Sequence, residues 1–141
     1  MLKSVLDLLR PGGRFVLTNI CPQEMDDWLI YRYFPAARAL DLHDFWTPGA
    51  IESVMREEGF QAVQVELGHF HHEQDMRVFL DRVHRRDICS QLIAISDEAY
   101  TAGVAQLGQE LLMAPESYMQ PDHACVLTIR GDRLAEKTLF A

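Results

Sequence analysis

The stretch LLRPGGRFVLTNI, residues 8–20, constrains the fold more than any other part of the chain. Around its start, Leu2, Val5, Leu6 and Leu9 fall at i, i+3, i+4 and i+7, the apolar stripe of a short helix. Pro11 cannot continue that helix, and Gly12 and Gly13 admit backbone conformations that other residues avoid, so the chain turns there. Phe15, Val16, Leu17 and Ile20 then form a short apolar run of strand formers. Such a run, unlike an alternating one, is expected of a strand covered on both faces, as in a parallel sheet. Helix, glycine turn and buried strand make half of an α/β unit, and the expected fold class is α/β.

The remainder of the chain extends this pattern. Met25, Trp28 and Leu29, continued through 32–34, predict a second short helix broken at Pro35. Thr47 followed by Pro48 is a helix start: the hydroxyl accepts from an orphan backbone N–H, and proline at the first helical position loses no hydrogen bond. Ile51, Val54 and Met55 supply that helix with an inner face, Gly59 stops it, and Phe60 can pack back over its last turn. Over 61–67, Val63, Val65 and Leu67 alternate with Gln64 and Glu66, which predicts a half-buried strand near a sheet edge. From 75 to 112 the spacing is helical again, with stripes Met76, Phe79, Leu80, Val83 and Tyr100, Val104, Leu107, Leu111. Ser96 caps the later helix, with Asp97 and Glu98 in its first turn. Pro115 and Pro121 bracket a loop, ACVLTI at 124–129 is the last strand, and 131–141 is a polar tail. With 141 residues, 48% hydrophobic, and no linker-like segment, the expectation is a single domain over 1–141.

Charge and cysteine content narrow the partners. Thirteen basic against twenty-one acidic side chains give a net charge of −8, which disfavours nucleic acid. Arg77, Arg82, His84, Arg85 and Arg86 read as one solvated helix face. Cys21, Cys89 and Cys125 are far apart, form no CxxC pair and follow no secretory leader, which points to a reducing, cytoplasmic setting. No apolar run approaches the roughly 18 to 20 residues of a membrane span.

The order helix, PGG, strand, helix ending in Gly-Phe, strand, helical insertion, strand resembles the C-terminal half of a class I S-adenosylmethionine-dependent methyltransferase, of the small-molecule type with a helical cap. On that resemblance Leu8 to Leu17 leads into the fifth strand of a Rossmann-like sheet. FWTPGAIESVMREEGFQAVQV (45–65) is similar to the following helix and sixth strand, and DHACVLTIRG (122–131) to a seventh strand antiparallel beside it. YRYFPAARALDLHDF (31–45) and SQLIAISDEAYTAGVAQL (90–107) look like cap helices, within an insertion expected over 68–121. The resemblance thus implies a partial Rossmann-like sheet of three strands, the last two antiparallel, with flanking helices and a cap. It also implies methyl transfer from S-adenosylmethionine to a small acceptor. Yet the family's GxGxG-type turn, which lets backbone approach the cofactor, is missing: the eight glycines (12, 13, 49, 59, 68, 103, 108 and 131) hold no such cluster. The expectation is half of an enzyme, without cofactor affinity by itself. Its partner would be a missing N-terminal half or a second copy, joined through the open edge of strand 14–20 and helix 2–9, because an open apolar edge invites pairing. The alternative is a non-catalytic dimeric binding or assembly module derived from the same fold. A third reading is an α/β domain that shares only the PGG turn.

Several residues are candidates for chemistry. His69 and His71 would point to one face of a strand, a spacing able to hold a divalent metal with one further ligand. Spacing identifies no such ligand, so the expectation is no metal and polar residues at a strand exit near the cap. Cys21 and Cys89 are expected to be small core hydrophobes. Asn19, at the carboxyl end of the first strand, lies where open α/β sheets bind ligands. Tyr31, Arg32, Tyr33 and Trp46 could line the adjoining cap. The substrate-pocket candidates are therefore Asn19, Tyr31, Arg32, Tyr33, Trp46, His69 and His71, and no residue can be named as catalytic.

Overall fold

The structure, a computed structural model, describes residues 1–137. Positions 138–141 of the expected tail lie outside the described residues. Its elements run α1 (Leu2–Leu8), β1 (Arg14–Ile20), a 3-10 turn (Pro22–Glu24), α2 (Leu29–Tyr33), α3 (Pro35–Asp44), α4 (Pro48–Glu57) and β2 (Gln61–Asp75). They continue with α5 (Met76–Val83), a 3-10 turn (Arg86–Ile88), α6 (Ser90–Ala94), α7 (Asp97–Met113) and β3 (Met119–Asp132). The fold is α/β, with helices flanking a three-stranded antiparallel sheet of order β1-β3-β2. The last strand in sequence is thus the middle one in space.

β1 pairs with β3 from Arg14 opposite Asp132 to Ile20 opposite Val126. This corrects the reading of β1 as a strand covered on both faces. Among the described strands it has one neighbour, and Phe15, Leu17 and Ile20 are half-buried while Val16 is 53% exposed. An antiparallel edge strand can leave one face to solvent, whatever the apolar content of its sequence. The last two strands are also longer than expected. β2 runs on to Asp75, and β3 begins at Met119, which turns Pro121 from a loop boundary into a strand residue. Proline is tolerated so close to a strand's start, where few ladder bonds are lost. Gly131 and Asp132, assigned to the tail, complete β3.

The chain divides into two compact units. The first comprises Met1–Cys21, Trp46–Gly68 and the chain from Cys125 onward. The stripe of α1 is covered there, with Leu2 buried and Val5, Leu6 and Leu9 half-buried, whereas the exposed leucine is Leu8. The glycine turn does more than end α1. Gly12, at φ +74, donates its N–H to the Arg133 carbonyl at 3.0 Å, and Arg133 N–H returns to Gly13 O at 2.8 Å. The Arg133 guanidinium then donates to the carbonyls of Leu6, Asp7 and Leu9 (3.3, 2.9 and 2.6 Å), satisfying the orphan acceptors at the end of α1. α4 begins as the sequence indicates, with Thr47 Oγ1 accepting from Ala50 N–H at 3.2 Å. It ends in a Schellman motif: Gly59, at φ +103, donates to Arg56 O, and Phe60 donates to Met55 O at 3.0 Å with its ring buried.

The second unit comprises Pro22–Phe45 and His69–Ala124. It takes in more than the insertion expected over 68–121, because α2 and α3 belong to it as well. The helix expected over 25–34 is only α2, and Pro35, which breaks it, opens α3 as its first residue. Met25, Leu29, Phe34, Met76, Phe79, Val83, Leu92 and Leu107 form the core. Asp75 caps α5 by accepting from Arg77 and Val78 N–H, and Ser96 caps α7 by accepting from Ala99 N–H at 3.1 Å. Of the expected basic face, Arg77, Arg82, His84 and Arg85 are exposed and Arg86 is half-buried. Arg77 also donates to the carbonyl of Leu111, in the last turn of α7, and to those of Ala114, Pro115 and Glu116 beyond it. Arg86 donates to Leu92 O and Ile95 O, and lies 4.9 Å over the Tyr100 ring. No helix among the described residues is long and apolar enough to cross a membrane.

Candidate functional site

The most chemically loaded part of the molecule is a histidine cluster in the second unit. Period-two geometry puts His69 and His71 on one side of β2. β3, the neighbouring strand, supplies His123, 54 residues from His69. One ring nitrogen from each of the three lies within 4.8 Å of the others. His71 stacks on His123 with centroids 4.2 Å apart and planes 4° from parallel, and His69 stands 5.2 Å from the same ring at 18°. His69 and His71 are exposed, whereas His123 is buried.

Hydrogen bonding fixes the buried ring. His123 Nδ1 lies 2.6 Å from Asp27 Oδ1, and this bond is the main cause that holds the Asp27 carboxyl below the usual carboxylate range. His123 Nδ1 faces the Asp27 carboxylate, and its other nitrogen, Nε2, faces His69 Nδ1 at 2.9 Å. Asp122 locks the frame: its Oδ1 accepts from Leu29 N–H at 2.9 Å and from His123 N–H at 3.0 Å. The start of α2, just after Asp27, is therefore tied to the strand that carries His123. The other oxygen of Asp122 is 3.7 Å from His72 Nε2. An open cleft of about 420 Å³ lies beside these groups, walled by Asp27, His71, His72, Glu73, Asp122 and His123. A carboxylate, a buried imidazole and two accessible ones can relay a proton or ligate a metal ion.

The other candidates fall elsewhere. Tyr31 is buried with its hydroxyl donating to Asp41 Oδ2 at 2.6 Å. Tyr33 is buried and donates to Glu110 Oε2 at 2.6 Å; burial, then the adjacent carboxylate, raises its phenol far above the usual range. Both hydroxyls are committed inside the unit. Arg32 is exposed and reaches Gln120 Oε1 at 3.3 Å. Asn19 and Trp46 belong to the first unit, where the Asn19 side chain accepts from Ile20 N–H and Trp46 is 55% exposed. Of the seven candidates, His69 and His71 join one cluster, and the residues that complete it, His123 and Asp27, were missed. Cys21 and Cys125 are buried, Cys89 is half-buried, and none forms a disulfide.

Neither a protein-family model nor a curated protein matches the sequence. Among solved structures the chain is similar to a protein of Bacillus halodurans C-125 assigned as a methyltransferase, with 16% identity over 95% of this chain and 62% of that one, at a TM-score of 0.49. It is also similar to phosphoethanolamine N-methyltransferase 2 of Haemonchus contortus, in complex with phosphomonomethylethanolamine and S-adenosylhomocysteine. Identity there is 16%, over 94% of this chain and 29% of that one, with a TM-score of 0.41. The chain thus spans less than two thirds of the length of either protein.

Proposed function

We propose that this chain carries the later strands and the helical cap of a class I S-adenosylmethionine-dependent methyltransferase acting on a small molecule. The observation that carries the reading is the strand order. β3 lies antiparallel beside β2, as the resemblance implies for the seventh and sixth strands, and the PGG turn leads into β1 as it does into the fifth. In such an enzyme the donor supplies an activated methyl group, and the protein positions an acceptor O, N, C or S atom against it.

The residues of this chain do not fit the donor. None of its described strands is followed by a glycine-rich turn: Cys21 and Pro22 follow β1, Met76 follows β2 and Arg133 follows β3. This chain alone therefore supplies the acceptor side of the site and no grip on S-adenosylmethionine. Sequencing the coding DNA upstream of Met1 tests this reading. A GxGxG-bearing segment in frame, and methyl transfer by the extended protein, would support it. Micromolar binding of S-adenosylmethionine by the 141-residue chain in a calorimetric titration would refute it.

A second reading has its own observation. The outer edge of β1 has no strand paired to it among those described, and Val16 on that strand is largely exposed. A homodimer formed there, serving as a non-catalytic binding or assembly module, covers that edge. Absence of any in-frame donor-binding segment, together with a stable dimer in sedimentation, selects this module over the enzyme.

A further inference from the structure

We propose that His69, His71 and His123 form a binding site for one divalent transition-metal ion, with zinc as the ion that best suits the donors. The inference is independent of the methyltransferase reading. It rests on the arrangement of three imidazoles from two adjacent strands, all in the second unit.

The donor set selects the ion. Three neutral imidazoles suit zinc, copper or nickel and do not suit magnesium or calcium, which take oxygen ligands. The three ligand nitrogens lie within 4.8 Å of one another. Tetrahedral zinc, with Zn–N bonds of about 2.0–2.1 Å, places its ligand nitrogens roughly 3.3 Å apart. His69 Nδ1 and His123 Nε2 stand at 2.9 Å, so that pair needs only a slight opening to admit the ion. His71 has to turn out of its stack on His123, and its ring is exposed, which makes the turn cheap.

The buried ligand is also supported from behind. A metal-bound histidine ordinarily donates its other N–H to a carboxylate, which fixes the tautomer and strengthens the ligand. His123 already has that partner in Asp27, and its Nε2 already faces His69 Nδ1. In the bound form His69 carries its proton on Nε2 and His123 on Nδ1, the proton shared between the two rings is released, and His69 exchanges its bond to His123 for one to the ion. No residue need be displaced from the core. The site is open to solvent as well. The three ligands leave a fourth position, and the cleft lined by His71, His72, Glu73 and His123 provides room for water or for a ligand carrying oxygen or nitrogen.

The test uses the full chain, stripped with a chelator and then titrated with Zn²⁺ by calorimetry and with Co²⁺ by visible absorption. One equivalent of each ion should bind, and Co²⁺ should show the intense bands of a four-coordinate site. H69A/H71A changes only exposed side chains, so it should fold as the parent does and lose the site. D27N should retain the stoichiometry with affinity weakened ~10- to 100-fold. H43A/H84A, which removes two exposed histidines elsewhere, should leave binding unchanged. The proposal is overturned if the parent takes up no zinc at millimolar concentration, or if H69A/H71A binds as tightly as the parent.

Discussion

At Gly103, on α7, a β-carbon would lie 2.5 Å from the Tyr33 carbonyl oxygen and against the Phe34 ring. Alanine at a helix interior normally gains about 1 kcal/mol over glycine. Here the neighbour is backbone and cannot yield, so Gly103→Ala should cost ~1 to 3 kcal/mol by overpacking. Gly108, on the same helix, has nothing within 4 Å of that position, and Gly108→Ala should stabilise by up to ~1 kcal/mol. Urea unfolding midpoints that move in opposite directions would bear out the packing; equal shifts would contradict it. Single residues also mark how far the sequence could be read. His69 and His71 were legible as a pair because alternation along a strand is a local rule. His123 was not, because no local pattern says which strand will lie alongside. Tyr31 and Tyr33 are pocket candidates by aromatic spacing, which does not disclose that Asp41 and Glu110 accept from their hydroxyls.

Helix ends divide in the same way. The caps at Thr47, Ser96 and the Gly59–Phe60 stop were legible because donor and acceptor lie within a few residues of each other. Arg77 and Arg133 were not, because the carbonyls they satisfy belong to distant segments, and Arg86 was not, because it reaches past the end of α6 to Ile95. Between strands, the Arg14 guanidinium donates to both oxygens of Asp132, at 2.7 and 3.1 Å, across the β1–β3 register. The hydrogen bond from Arg14 is the main cause that lowers the Asp132 carboxyl below its ordinary value. A carboxyl lowered in the folded state adds stability above its unfolded value, and loses it as pH falls through the folded one. Acid unfolding of the parent and Asp132→Asn should therefore converge below the ordinary carboxylate range and differ above it. The pair is solvent-exposed, so the difference should be small and should shrink in high salt. A gap that persisted unchanged in high salt would assign it another origin.

For the whole molecule, the α/β class and the positions of all three strands were legible, while the cover on β1 was not. Its apolar run is that of a buried strand, yet its only neighbour among the described strands is β3. If a second copy covers the open edge, Val16→Lys should convert a dimer into a monomer in sedimentation velocity without unfolding it, because charge on an edge strand opposes pairing. An unchanged dimer would place the interface elsewhere. Both functional proposals depend on β3 lying between β1 and β2, since that order supports the methyltransferase reading and brings His123 beside His69 and His71. Long-range nuclear Overhauser contacts along the backbone measure it most directly. The account predicts contacts joining Val16 to Arg130, Thr18 to Thr128 and Ile20 to Val126, with the residues of β2 contacting the opposite edge of β3. Direct contacts between β1 and β2, with β3 outside them, would contradict it.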